Sequence, residues 1–181
     1  MQHTAAGLIS AIGLDATLRR PLRKGSFMTT WQVTVERRIS APAARVWEAL
    51  TDIEGSPRVI SGIERVEMLS DGPFGKGTRW RETRSIFGKE ATEEMWVTAS
   101  EPERRYVVES DSRGVHYTSE FALTPEGDDV TVVRLSFASE TDKKSLTGTM
   151  GKFLGSIGSK AVAKSLAKDL EDVSVAAEAP A

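Results

Sequence analysis

The apolar positions change period around residue 40. Trp31, Val33, Val35, Arg37 and Ile39 alternate with Gln32, Thr34, Glu36 and Arg38, the two-residue period of a half-buried strand. Ser40 and Pro42 follow as an expected N-cap and first-turn proline. Val46, Trp47 and Leu50 then fall on one helical face. Residues 53–60 read as a second short helix or turn, broken by Gly55 and Pro57. Segments 63–69, 78–87, 91–99, 106–110, 115–123 and 130–138 read as strands separated by turn residues such as Asp71-Gly72-Pro73, Gly88-Lys89 and Pro125-Glu126-Gly127. From Asp142 to about Val173 the period is helical.

This order predicts an α+β fold: one strand, two short helices, six strands in hairpin series and one long helix. Hairpin-linked strands make an antiparallel sheet. Its apolar face needs a cover, and the C-terminal helix is the one large element left to supply it.

Composition narrows the chemistry. A chain of 181 residues fits one domain with a core large enough to need no metal or disulfide. There is no cysteine, which removes disulfides, thiolate ligands and cysteine nucleophiles and suits a reducing, cytoplasmic setting. There is no asparagine, hence no N-glycosylation sequon. A formal charge of -2 carries no nucleic-acid signature. No apolar run nears the roughly 20 residues of a membrane span, which leaves peripheral contact as the one membrane role expected. Residues 1–27 hold Arg19, Arg20, Arg23 and Lys24 against Asp15, and read as a flexible basic extension upstream of a domain at 28–175, with 176–181 a disordered tail. Two histidines, His3 and His116, far apart in the chain, make a transition-metal site improbable, and no cofactor is implied. Nothing in the chain sets an oligomeric state.

Local signatures go further. Ile39-Ser40-Ala41-Pro42 enters Arg45-Val46-Trp47-Glu48-Ala49-Leu50; Gly77-Thr78-Arg79-Trp80-Arg81-Glu82 opens a strand; Glu101-Pro102-Glu103-Arg104-Arg105 follows one; and the last helix carries Ala167-Lys168-Asp169-Leu170-Glu171. Together with the element order, these resemble the START-like helix-grip (SRPBCC) superfamily, closest to its bacterial polyketide cyclase/dehydrase-like subgroup. The resemblance implies a seven-stranded curved sheet wrapped around the long helix, with a ligand cavity between them. Expected wall residues are Trp47, Trp80, Met95, Val97, Tyr106, Val108, Tyr117, Phe121 and Leu123; the competing expectation is that these side chains simply fill the core.

The long helix has its own irregularity. Gly148, Gly151, Gly155 and Gly158 share one face and continue in register into Val162, Leu166, Leu170 and Val173, while Leu146, Met150, Phe153, Leu154 and Ile157 take another side. Each interior glycine costs about 1 kcal/mol against alanine. Either the glycine face looks into the sheet, placing Gly151 and Gly155 over the cavity, or the helix kinks near Gly158; a weak helix there makes a gate.

The expected function is binding of a hydrophobic or aromatic small molecule such as a lipid, polyketide or isoprenoid-like compound. An alternative is a cyclase or dehydratase working in the same cavity, with Glu82 and Arg84 as a same-face pair and His116 as base. Against His116 stands its parity with Thr118 and Glu120, which directs it to water. A second alternative is a protein-interaction module using the apolar stripe of the last helix.

Overall fold

A computed structural model describes residues 28–86, 89–142 and 156–180. The extension 1–27, Gly151, Gly155 and the stripe from Leu146 to Leu154 lie outside the described residues. Seven strands form one antiparallel sheet: β1 (Met28–Ile39), β2 (Ile63–Met68), β3 (Arg79–Ile86), β4 (Lys89–Glu101), β5 (Arg105–Ser112), β6 (Val115–Pro125) and β7 (Thr131–Asp142). Their order across the sheet is β1-β7-β6-β5-β4-β3-β2. The chain crosses from one edge to the other between β1 and β2, through α1 (Ala43–Thr51) and α2 (Ser56–Val59). The long helix α3 (Ser156–Glu178) lies chiefly against β1 and α1.

Burial along β1 alternates as the sequence pattern requires, with Trp31, Val33, Val35, Arg37 and Ile39 turned inward. Ser40 does not cap α1. Pro42 holds that position, its carbonyl accepting the Arg45 and Val46 N–H groups, and the Ser40 N–H goes to Glu178 Oε1 at 2.8 Å. The strand-to-helix change also falls later than the pattern suggested. Asp142 is still in β7, paired with Met28, because β1 offers a partner along its full length.

The face of α3 that carries Leu166, Leu170 and Val173 is the one that packs. Leu170 and Val173 are 1% exposed and join Ile39, Val46, Val97, Val133 and Leu135 in the core. The helix runs past the boundary expected at Val175. Ala177 is buried, Glu178 ties Ser174 to Ser40, and the Ala179 carbonyl accepts from Arg45. These contacts, not helix propensity, extend the domain to the end of α3. Asp172 anchors the same helix to the α2–β2 loop, accepting from the Ser61 N–H and hydroxyl at 2.9 and 2.7 Å.

Leu170→Ala should therefore lower unfolding stability by about 2–5 kcal/mol in urea titration. Val175→Ala, one turn away on the exposed side, should stay within about 0.5 kcal/mol.

Candidate functional site

Antiparallel register sorts the inward residues into rows, because directly opposed residues share a face. One row crosses the whole sheet: Trp31, Ser139, Tyr117, Ser110, Met95, Trp80 and Met68, from β1 to β2. The turn that sets its centre has two residues, Arg113 and Gly114, both at positive φ (50° and 79°). That conformation matches the twist of the flanking strands. It pairs Ser112 with Val115 and so places Ser110 opposite Tyr117.

Toward α1 the concave side is filled by aromatic rings. Trp47, Phe74 and Tyr106 meet edge-on, with centroids 5.2–6.0 Å apart, and Tyr106 stacks on Phe121 at 4.5 Å. The Tyr106 hydroxyl donates to the Leu50 carbonyl at 3.4 Å. Burial, reinforced by Glu82, drives its pKa well above the usual tyrosine value, so it stays neutral. These rings close that end of the grip themselves.

Beside the plug sits an ionic cluster. Arg84 donates from Nε to Glu82 Oε1 at 2.6 Å and from Nη1 to Asp169 Oδ2 at 2.8 Å, linking β3 to α3. Trp80 Nε1 donates to the other Glu82 oxygen at 3.2 Å. One guanidinium thus serves two carboxylates in a poorly hydrated place. Burial opposes the charge on Arg84, but the two carboxylates outweigh it and raise its pKa. At Asp169 burial is the largest influence, and with Glu82 nearby it outweighs Arg84, leaving that carboxyl above its ordinary value. Glu82 has two donors and Asp169 draws on one, so Asp169 is the less compensated member. Glu93, inward on β4, faces Glu82 across the strand pair.

Toward the ends of the strands farthest from α1 the concave side differs. Trp31 meets Phe137 edge-on at 6.1 Å, and Tyr117 stacks on Phe137 at 5.6 Å, yet all three rings remain half-buried. Ser110 and Ser139 flank Tyr117 and are each 3% exposed. Neither hydroxyl has a hydrogen-bond partner among the described residues. The one sealed, unpartnered side-chain nitrogen or oxygen there is Arg37 Nε. Neither serine hydroxyl is among the sealed, unpartnered atoms, although both residues are buried. Burial also raises the Tyr117 pKa, with Glu93 adding to the effect and Arg113 partly offsetting it.

The expected wall residues divide accordingly. Trp47, Val97, Tyr106, Val108, Phe121 and Leu123 belong to the packed core and its aromatic plug. Trp80, 3% exposed, and Met95 belong to the same core and share the inward row with Tyr117, which lies outside that core. Glu82 and Arg84 face inward together. Arg79 and Arg81 point outward to Glu94 and Glu67. His116 is on the outer face, with Asp111 at 2.8 Å, Glu109 at 3.3 Å and the Trp96 ring at 6.4 Å. It stands on the face opposite Tyr117, so the expectation that it faces the concave side as a base is corrected. Sequence reasoning passed over Ser110, Ser139, Phe137 and Asp169; strand parity, carried across the Arg113-Gly114 turn, was the signal that would have exposed the serines. A separate surface depression of about 320 Å³ lies by the α1–α2 corner, shares Met68 with the row and is rimmed by Asp52, Glu54 and Asp71. It is open and its rim is acidic. Among the described residues no group of side chains could hold a metal ion, and no helix is long and apolar enough to cross a membrane.

The model of a protein family described as polyketide cyclase / dehydrase and lipid transport matches residues 30–178. The chain belongs to that family. No curated protein matches it. Among solved structures it is similar to Zhui aromatase/cyclase from Streptomyces (20% identity, 83% of this chain and 94% of that one, TM-score 0.70). It is also similar to TTHA0849 from Thermus thermophilus (22% identity, 81% and 96%, TM-score 0.67). A third likeness is norcoclaurine synthase from Thalictrum flavum in complex with dopamine and hydroxybenzaldehyde (17% identity, 91% and 100%, TM-score 0.63). At these identities the likeness is one of fold, and the helix-grip architecture is shared.

The Asp169 carboxyl gives a signed expectation. Its folded pKa lies above the ordinary aspartate value of 3.8, so the folded state holds this proton more tightly than the unfolded chain. Its contribution to stability is then greatest below 3.8 and falls as pH rises through the folded pKa. Asp169→Asn removes that titration. The stability of the variant minus that of the parent should rise with pH above 3.8 in paired urea titrations; a difference that falls with pH would reverse the assignment.

Proposed function

We propose that the protein binds a hydrophobic or aromatic small molecule, of the lipid, polyketide or isoprenoid kind, in the hollow between the sheet and the long helix. The observation that carries this reading is the pair of buried, inward, unpartnered hydroxyls on Ser110 and Ser139, set beside rings that face inward and stay half-buried. A side chain committed only to packing would be covered by its neighbours, and a hydroxyl left without a protein partner can both donate to and accept from an occupant. Concave, largely apolar sites with a few polar groups are the usual form of small-molecule sites. Family membership supports the reading, since the description covers both cyclase chemistry and lipid transport.

A cyclase or dehydratase in the same hollow is the second reading. Glu82 and Arg84 favour it, being inward and next to the row. Both are engaged with Asp169 and Trp80, so catalysis would require the ligand to displace one of these contacts. The interaction-module alternative rested on the stripe from Leu146 to Ile157 and draws no support from the described residues.

The test is fluorescence of the neutral probe N-phenyl-1-naphthylamine, with mass spectrometry of an organic extract of the purified protein. Saturable uptake near one probe per chain is expected. Ser119→Phe, which adds a ring to the inward face opposite Phe137, should weaken uptake at least tenfold with the melting temperature nearly unchanged. No uptake together with an empty extract would defeat the reading. Glu82→Gln should leave probe uptake intact and abolish turnover if the second reading holds.

A further inference from the structure

We propose that Ser110 and Ser139 each offer a seat for an uncharged oxygen of the ligand, a hydroxyl or a carbonyl, and that the site turns carboxylates away. The inference rests on the ligand-binding reading above and adds the polarity of the ligand.

Ser110 and Ser139 are the immediate neighbours of Tyr117 on either side, on one face. Neighbouring strands lie about 4.8 Å apart, so the two serines bracket the Tyr117 ring at a separation of about 10 Å. A molecule lying on that ring meets a hydroxyl at each side. A hydroxyl both donates and accepts, so it suits an alcohol or a ketone equally. The aromatic side of the row, Trp31 and Phe137, supplies the apolar surface on which the rest of the ligand lies.

The surrounding charge sets the exclusion. A carboxylate leaving water needs a cation or several strong donors. Arg84 is already shared between Glu82 and Asp169. Glu93, inward on β4, acts on Tyr117 more strongly than Arg113 in the β5–β6 turn does. Two neutral hydroxyls beside an unshared carboxylate are a poor place for a second negative charge and a good one for a neutral oxygen.

Three probes of one shape separate these effects: naphthalene, 2-naphthol and 2-naphthoate, titrated by fluorescence at pH 7. 2-Naphthol should bind tightest, at least tenfold more tightly than 2-naphthoate. Ser110→Ala with Ser139→Ala should weaken 2-naphthol about tenfold and leave naphthalene unchanged, which excludes a loss of fold as the cause. Glu93→Gln should narrow the gap between 2-naphthol and 2-naphthoate. If 2-naphthoate binds as well as 2-naphthol, or the double serine variant binds 2-naphthol like the parent, the seat is overturned while the hollow stands. If none of the three binds, the ligand-binding reading falls together with the seat.

Discussion

Strand register governs everything at the concave face. Side chains alternate strictly along a strand, so a slip of one residue between β5 and β6 would send Ser110 or Tyr117 to the outer surface. The two-residue turn at Arg113-Gly114 prevents that slip, since both positions adopt positive φ and leave one way to close the hairpin. Continuous pairing then propagates the choice to both edges. On the β7 side it aligns Ser139 and Trp31 with Tyr117, and on the β4 side it aligns Met95 and Trp80 with Ser110. The irregularity in β4 between Val97 and Ala99 comes beyond the row and leaves it intact.

The same rows explain why the rings at one end are closely packed and those at the other are half-buried. Near α1, large rings from three elements, Trp47, Phe74 and Tyr106, converge with Phe121 and take up the space. Around Tyr117 the neighbours are serines, whose small side chains do not reach across. Between these regions the long helix is pinned by Arg84 to Asp169, a contact that crosses from sheet to helix where apolar packing gives way to polar lining. The compensation there is incomplete, because two carboxylates compete for one guanidinium. An ion cluster of this kind adds little net stability but fixes geometry, since moving α3 away would leave buried charges unpaired.

Much of the fold was legible because its signals are local and periodic. The two-residue alternation in β1 and the hairpin spacing of β2–β7 depend on neighbours in sequence, and so does the apolar stripe of α3 from Leu166 to Val173. What misled was competition. Ser40 is a good N-cap by type, yet α1 opens at Ala43 with Pro42 in the cap position, and the Ser40 N–H goes to Glu178, 138 residues away. Asp142 follows a helical pattern, yet β1 is long enough to hold it in a strand. The tail past Val175 is rich in alanine and looks featureless, but Ala177 is small enough to lie against the core and Glu178 finds two donors. The site was harder to read because it depends on facing. Glu82 with Arg84 was legible as a same-face pair from spacing of two. His116 carried the right chemistry on the wrong face. Ser110 and Ser139 carried no chemical signal of their own, since a serine in a strand is ordinary until its neighbours are known.

A hollow of this kind sets stability against function in a definite way. Filling it with apolar side chains would gain burial at about 25 cal/mol per Å². Replacing Ser110 and Ser139 with alanine would also remove two unpartnered hydroxyls. Each serine could become alanine by one substitution, yet both positions carry a hydroxyl. On the proposed reading an occupant would supply partners to these hydroxyls, and its binding would stabilise the folded state in proportion to occupancy. The aromatic plug and the Arg84 cluster keep the remainder of the interface closed while this portion stays under-packed. On the proposed reading, the two serine hydroxyls lie on one stretch of a single cross-strand row, apart from the sealed Arg37 Nε of β1.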